Sequence, residues 1–202
     1  MYIHPKNKEE DENEIFNFIQ AHPFATLVGT VNNQPWAVHI PLLLSDDRKM
    51  LIGHIAKANP IWKNFETQTS ALVIFMGAHA YVSSSWYDHE NVSTWNYQAV
   101  HVYGRIQLQS EESFRKALAN LTTHFEKGMK HPRLMENMSD KFIQQEMRAA
   151  IGFQLSIDKI EASYKLSQNR DDKNHHNIVT ELENLPDENA NAIAKAMRSQ
   201  RK

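Results

Sequence analysis

The stretch Phe24-Ala-Thr-Leu-Val-Gly-Thr-Val31, Asn32-Asn33, Gln34-Pro-Trp-Ala-Val-His-Ile-Pro-Leu-Leu-Leu44 carries the reading of the fold. Apolar residues recur at every second position, which is the period of a strand and not of a helix. Asn32-Asn33 interrupts the two runs where a tight turn belongs, because asparagine tolerates the positive φ that such turns require. The spacing therefore predicts a hairpin. In its second arm Trp36, Val38, Ile40, Leu42 and Leu44 share one face, and Ala37, His39, Pro41 and Leu43 share the other. Pro41 lacks an N–H, so this arm has an unpaired side or a bulge.

Working outward, residues 9–21 read as a helix with Ile15, Phe16 and Ile19 as its apolar stripe, ended by Pro23. Downstream, Met50–Ile55, Ser70–Met76, Tyr81–Ser83 and Thr94–Leu108 read as strands. The run at Ser70–Met76 is almost continuously apolar, which predicts burial on both faces. In the last of them Val100, Val102, Ile106 and Leu108 face one way, and His101, Tyr103, Arg105 and Gln107 the other. Ser110 is placed to cap a helix reaching about Lys127, and Ser139 a shorter one ending near Ala150. Alternation returns at Phe153-Leu155-Ile157 and at Ile160-Ala162-Tyr164-Leu166, with a slip of phase that predicts a bulge or bend near Asp158. About seven antiparallel strands without βαβ alternation point to a barrel decorated by helices, a mainly β chain of the α+β class. Residues 1–170 form the expected barrel domain. Residues 171–202 are polar and helical, divided by Pro186, and read as an appendage.

Composition narrows the function. A chain of 202 residues suits one domain. With 22 Lys and Arg against 24 Asp and Glu, the formal charge is −2, which gives no overall basic footprint for nucleic acid. The eleven histidines allow the surface charge to change sign near pH 6, at about their ordinary titration. Absence of cysteine excludes disulfides, thiolate catalysis and zinc–thiolate sites. The first residues are acidic and lack an apolar core, unlike a secretory signal. The longest apolar stretch, Ala71 to Ala78, is far short of the ~20 residues that span a membrane. A soluble cytoplasmic protein is expected.

Three clusters could carry chemistry. In Leu51-Ile-Gly-His54-Ile-Ala56-Lys57-Ala-Asn59-Pro60 a strand runs into a helix with Asn59 as N-cap and Pro60 in its first turn. Unpaired N–H groups there, with Lys57 and His54 beside them, could cradle a phosphate. An ordinary capped helix beside a solvated lysine is the other reading. Tyr81, Trp86, Tyr87, Trp95 and Tyr97 flank a polar loop, and could stack on a flat ligand or pack a core and an interface between subunits. Lys165-Leu-Ser-Gln168-Asn169-Arg170 ends a strand with two cations and three hydrogen-bonding side chains, suited to a phosphate or to a plain polar loop. The histidines show no metal-ligand spacing, and no GxSxG or Walker loop is present. No catalytic residue and no metal ligand is assigned.

Taken together, FATLVG, HIPLLL, GHIAKANP, ALVIFMGAHAYVSSSWY, TWNYQAVHVYG and KLSQNR resemble the PaiB-type family of FMN-binding proteins, whose members carry the label of negative transcriptional regulators. The loop DHENVSTWNY departs from the family by lacking a proline near Ser93. The resemblance implies a homodimeric, six- to seven-stranded antiparallel FMN-binding split β-barrel, with FMN in the groove between two subunits. It implies that His54, Ala56, Lys57 and Asn59 hold the flavin phosphate. Lys165, Gln168, Asn169 and Arg170 would close the same site, and Trp95, Asn96 and Tyr97 would line the ring end or the dimer contact. The activity it implies is an FMN-dependent oxidoreductase or flavin reductase, with NADH or NADPH as a transient donor. The alternative is a flavin-sensing repressor touching DNA through Lys195, Arg198, Arg201 and Lys202. A haem-handling split barrel is a third class.

Overall fold

A computed structural model describes residues 1–67 and 70–201. Its eight strands are β1 (Lys8–Glu9), β2 (Phe24–Val31), β3 (Gln34–Pro41), β4 (Leu43–Leu44), β5 (Met50–Ala56), β6 (Ala71–Val82), β7 (Thr94–Leu108) and β8 (Ala150–Lys165). The five α-helices are α1 (Glu12–Ala21), α2 (Glu111–Glu126), α3 (Asp140–Arg148), α4 (Asp172–Asn184) and α5 (Glu188–Gln200). The strands form one sheet in the order β3-β2-β6-β7-β8-β5-β4, with β1 pairing β8. This is a mainly β, antiparallel, helix-decorated architecture. Among the described residues no helix is long and apolar enough to cross a membrane.

The chain divides into two compact units. One comprises Ile19–Phe75 and Val102–Ile160. Its hairpin forms as its period predicts. β2 pairs β3 from Phe24↔Pro41 to Val31↔Gln34. Asn32 and Asn33 both take positive φ, 51° and 60°, the requirement of a type I′ turn. Alternation on β2 buries Ala25, Leu27 and Val31. In β3, Val38 and Ile40 are buried, but Trp36 is 40% exposed because the hairpin tip lies beyond the core. β5 pairs β8 from Met50↔Ser156 to Ala56↔Ala150, burying Leu51 and Ile55 against Phe153 and Leu155. Phe65 and Phe153 pack within the core with tilted rings, 5.3 Å between centres. Ser110 and Ser139 cap α2 and α3 as expected, each accepting a hydrogen bond from the N–H three residues on.

The other unit comprises Met1–Phe18, Met76–His101 and Glu161–Lys202, of which Lys202 lies outside the described residues. β1 pairs β8 at Lys8↔Ser163, and Phe18 packs on Tyr164 at 5.4 Å between ring centres. α4 and α5 begin at the carboxylate caps Asp171 and Asp187. Between them they bury Ile178, Val179, Leu182, Ala190, Ile193, Ala194 and Met197, each at most 1% exposed.

Several sequence expectations change. The first helix starts at Glu12, because Lys8–Glu9 pairs as a strand. β6 alternates in place of being buried on both sides: Ala71, Val73 and Phe75 are inside while Met76 is 49% exposed, so an apolar run proves compatible with a one-sided strand. The helix at Asn59 is a 3-10 segment of five residues, Pro60–Asn64. β8 runs unbroken, and its burial changes phase across 157–161 from Phe153 and Leu155 to Ala162 and Tyr164.

Candidate functional site

The predicted residues fall into two groups, one in each unit. In the unit containing Glu161–Lys202, β8 ends at Lys165 and the chain turns tightly before α4. Gln168 makes that turn: its Oε1 accepts from the Leu166 N–H at 2.8 Å and its Nε2 donates to the Tyr164 carbonyl at 2.7 Å. Ser167 takes the left-handed conformation at φ 56°, and the Arg170 N–H closes on its carbonyl at 3.0 Å. The Ser167 hydroxyl donates to Asn96 Oδ1 at 3.1 Å. Asn96 is fully buried on β7 and ties the turn to the sheet.

This turn sets Lys165, Ser167, Asn169 and Arg170 on the wall of a cavity of about 410 Å³. Thr94 and Tyr97 of β7 contribute to the same wall, as do Val92 and the N-terminal residues Tyr2, His4, Lys6 and Asn7. Three cations therefore line the cavity and no carboxylate does. Lys165 donates to the Thr94 hydroxyl. Burial, and then the charge of Arg170, push the Lys165 pKa down. The Arg170 guanidinium lies 4.9 Å from the Tyr87 ring centre, a cation–π contact that fixes its plane. Its Nε is buried without a hydrogen-bond partner among the described residues. Two half-buried cations that repel one another form a site whose charge an anion would relieve.

Of the seven residues predicted in this unit, Tyr97, Lys165, Asn169 and Arg170 line the cavity. Gln168 and Asn96 build the turn instead. Trp95 is 52% exposed and lies against His79 and Tyr81 at 5.6 and 6.0 Å. Sequence reasoning missed Lys6, His4 and Tyr2, which reach the site because β1 pairs β8; no periodicity in a two-residue strand announces this. It also passed over Thr94, and it counted Ser167 in the cluster without assigning it to the site.

The other four residues belong to the unit containing β5. Asn59 accepts from the Ile61 N–H at 3.2 Å, so its side chain is engaged as a cap. A 3-10 segment of five residues supports little macrodipole. Lys57 is exposed; its N–H donates to the Ala149 carbonyl at 2.8 Å, and its own carbonyl accepts from the Trp62 indole at 2.9 Å. His54 and Ala56 line a cavity of about 430 Å³ beside α2 and α3. The His54 ring is tilted on Phe114 at 5.9 Å, its Nδ1 is buried without a hydrogen-bond partner among the described residues, and burial pushes its pKa down. Among the described residues no group of His, Asp and Glu is placed to hold a metal ion.

Comparison with known proteins adds the following. The family described as "Putative FMN-binding domain" matches residues 1–159. The chain is similar to protease synthase and sporulation protein PAI 2 of Bacillus subtilis, 39% identical across 100% of this chain and 99% of that protein. Its fold is similar to the FAD and heme binding protein of Mycobacterium smegmatis, at TM-score 0.64 and 17% identity over 84% of this chain and 78% of that one. The flavocytochrome Anf3 of Azotobacter vinelandii is alike to the same degree, at TM-score 0.64 and 16% identity over 87% of this chain and 78% of that one.

Proposed function

Because this chain belongs to the FMN-binding domain family and has the fold of flavin-binding split barrels, we propose that it is an FMN-dependent oxidoreductase whose cofactor phosphate lies between Lys165 and Arg170. The observation that carries this reading is the cavity lined by three cations and no carboxylate. The residues fit the group. Lys165, the Arg170 guanidinium and the Thr94 hydroxyl would hold a phosphate dianion by charge-assisted hydrogen bonds, while the Ser167 hydroxyl stays on Asn96. Tyr97 and Asn169 offer hydrogen bonds and a flat surface to a ring system. When bound, FMN supplies redox chemistry by hydride or single-electron transfer. The protein's own groups bind and orient; none of them is placed here as an acid or base.

The donor in this reading is NADH or NADPH, taken up transiently. The cofactor lies at the contact between two copies of the chain, and the exposed aromatic face made by Tyr81 and Trp95 supports such a contact. A repressor is the second reading, favoured by full-length similarity to a protein named for sporulation. Against DNA contact through the C-terminal cations, Arg198 is held bidentately by Glu183 at 2.8 and 2.9 Å, and Arg201 by Asp172 at 2.7 Å.

Fluorescence titration with FMN and with riboflavin, which lacks the phosphate, tests the assignment. A charge-assisted hydrogen bond contributes about 1.5–3 kcal/mol, so Arg170→Gln and Lys165→Met should each weaken FMN about 10- to 150-fold and leave riboflavin unmoved. A larger loss in Lys57→Ala than in either variant would place the phosphate at the Asn59 turn instead. Bleaching of the bound flavin by NADH would support the oxidoreductase; a flavin inert to both nicotinamides would sink it.

A further inference from the structure

The cavity beside His54 has chemistry opposite to the cationic one. Its walls are Phe114 and Leu118 of α2, Ile143 and Phe142 of α3, and Met135 and Met138 from the segment between those helices. Phe114, Ile143 and Met147 form the buried cluster on which Leu118, Met135 and Met138 pack, so the cavity stands on a well-made floor. No Lys or Arg lines it. Thr122 is already spent, its hydroxyl donating to the Leu118 carbonyl at 2.8 Å. Two polar side chains remain: the Glu146 carboxylate, on an exposed residue, and the His54 imidazole. No hydrogen bond reaches that imidazole among the described residues, and its one ring contact is with Phe114.

An apolar cavity of about 430 Å³ with one unsatisfied polar group has the anatomy of a small-molecule site. We propose that this cavity binds an uncharged, flat aromatic molecule bearing a hydroxyl or carbonyl, which hydrogen-bonds to His54. Lack of cations in the lining and the Glu146 carboxylate disfavour an anionic ligand. Burial keeps the imidazole neutral near pH 7, so it acts as a hydrogen-bonding group and not as a charge. The two methionines adapt to ring shape and favour aromatic edges. This inference stands apart from the flavin assignment, which uses residues of the other unit.

The test titrates the full-length protein, saturated with FMN, with naphthol, naphthalene and naphthoate, reading ligand fluorescence. Naphthol should bind saturably, naphthalene more weakly, and naphthoate weakest. His54→Phe keeps a ring against Phe114 and removes the hydrogen bond; it should weaken naphthol about tenfold while naphthalene holds its affinity. Ala56→Trp fills the cavity from an exposed strand position and should abolish naphthol binding even if His54→Phe fails to fold. The proposal is overturned if naphthol does not saturate, or if His54→Phe weakens naphthol and naphthalene alike. Tighter naphthol binding to FMN-free than to FMN-saturated protein would also overturn it, since the cavity would then belong to the flavin.

Discussion

Ser167 offers a sharp test of how the cationic turn is held. Its hydroxyl is buried and donates to Asn96 Oδ1 at 3.1 Å, and its φ of 56° is one that side-chain-bearing residues avoid. Ser167→Ala deletes the hydrogen bond and strands a buried acceptor, which costs about 1–3 kcal/mol. The backbone strain stays, because alanine dislikes that φ as much as serine does. Ser167→Gly loses the same bond but releases left-handed strain of about 1–2 kcal/mol. Glycine should therefore be the milder change by about 1 kcal/mol, the reverse of its usual standing in ordered structure. With a urea slope of about 2–3 kcal/mol/M, a loss of about 2 kcal/mol in Ser167→Ala lowers the unfolding midpoint by roughly 0.7–1 M. A cycle with Asn96→Ala should return a coupling of about 1 kcal/mol. If Ser167→Gly is the more damaging variant, or if both unfold with wild type, the turn is not held as argued.

Further outcomes follow from the packing. Leu182→Ala, fully buried on α4, should cost about 2–5 kcal/mol, where a loosely attached tail would lose almost nothing. A Cβ at Gly104 would stand 2.0 Å from the Ser156 carbonyl oxygen, so Gly104→Ala must part β7 from β8 and should cost about 3 kcal/mol or more. Gly53→Ala meets the mobile end of Leu42 at 2.4 Å and should cost less; equal midpoints in urea would contradict the comparison. Burial lowers the pKa of His54 and of His175. The unfolded chain therefore takes up more protons, and stability present above about pH 6.5 is lost as pH falls through the lowered values. Urea midpoints should drop between about pH 7 and pH 5, and the drop should shrink in His54→Phe.

The hairpin was legible because both its signals are local: alternation along the arms, and two asparagines that accept positive φ. The serine caps were legible for the same reason. Lys165 and Arg170 could be named as candidates because two cations and three hydrogen-bonding side chains share one short run at a strand end, although a plain polar loop reads the same way. The functions of Gln168 and Asn96 could not, since a side chain that braces a turn and one that touches a ligand are the same residue types. Lys6 and His4 stayed hidden because a two-residue strand carries no period. His54 was read with its neighbours Lys57 and Asn59 as one anion cradle. However, β5 ends at Ala56, so Lys57 and Asn59 stand beyond the strand, and whether the His54 face meets α2 and α3 depends on packing from residues about sixty or more positions away.

The ends of the sheet order carry one more consequence. At one end stands β3, with Pro35 and Pro41 in its eight residues; at the other stands β4, only two residues long. Each proline withholds a donor, and a two-residue strand presents almost no ladder. An incoming chain would meet prolines within one end strand and very little strand at the other. Strand addition at either end of this sheet order is therefore disfavoured relative to contact through side-chain faces.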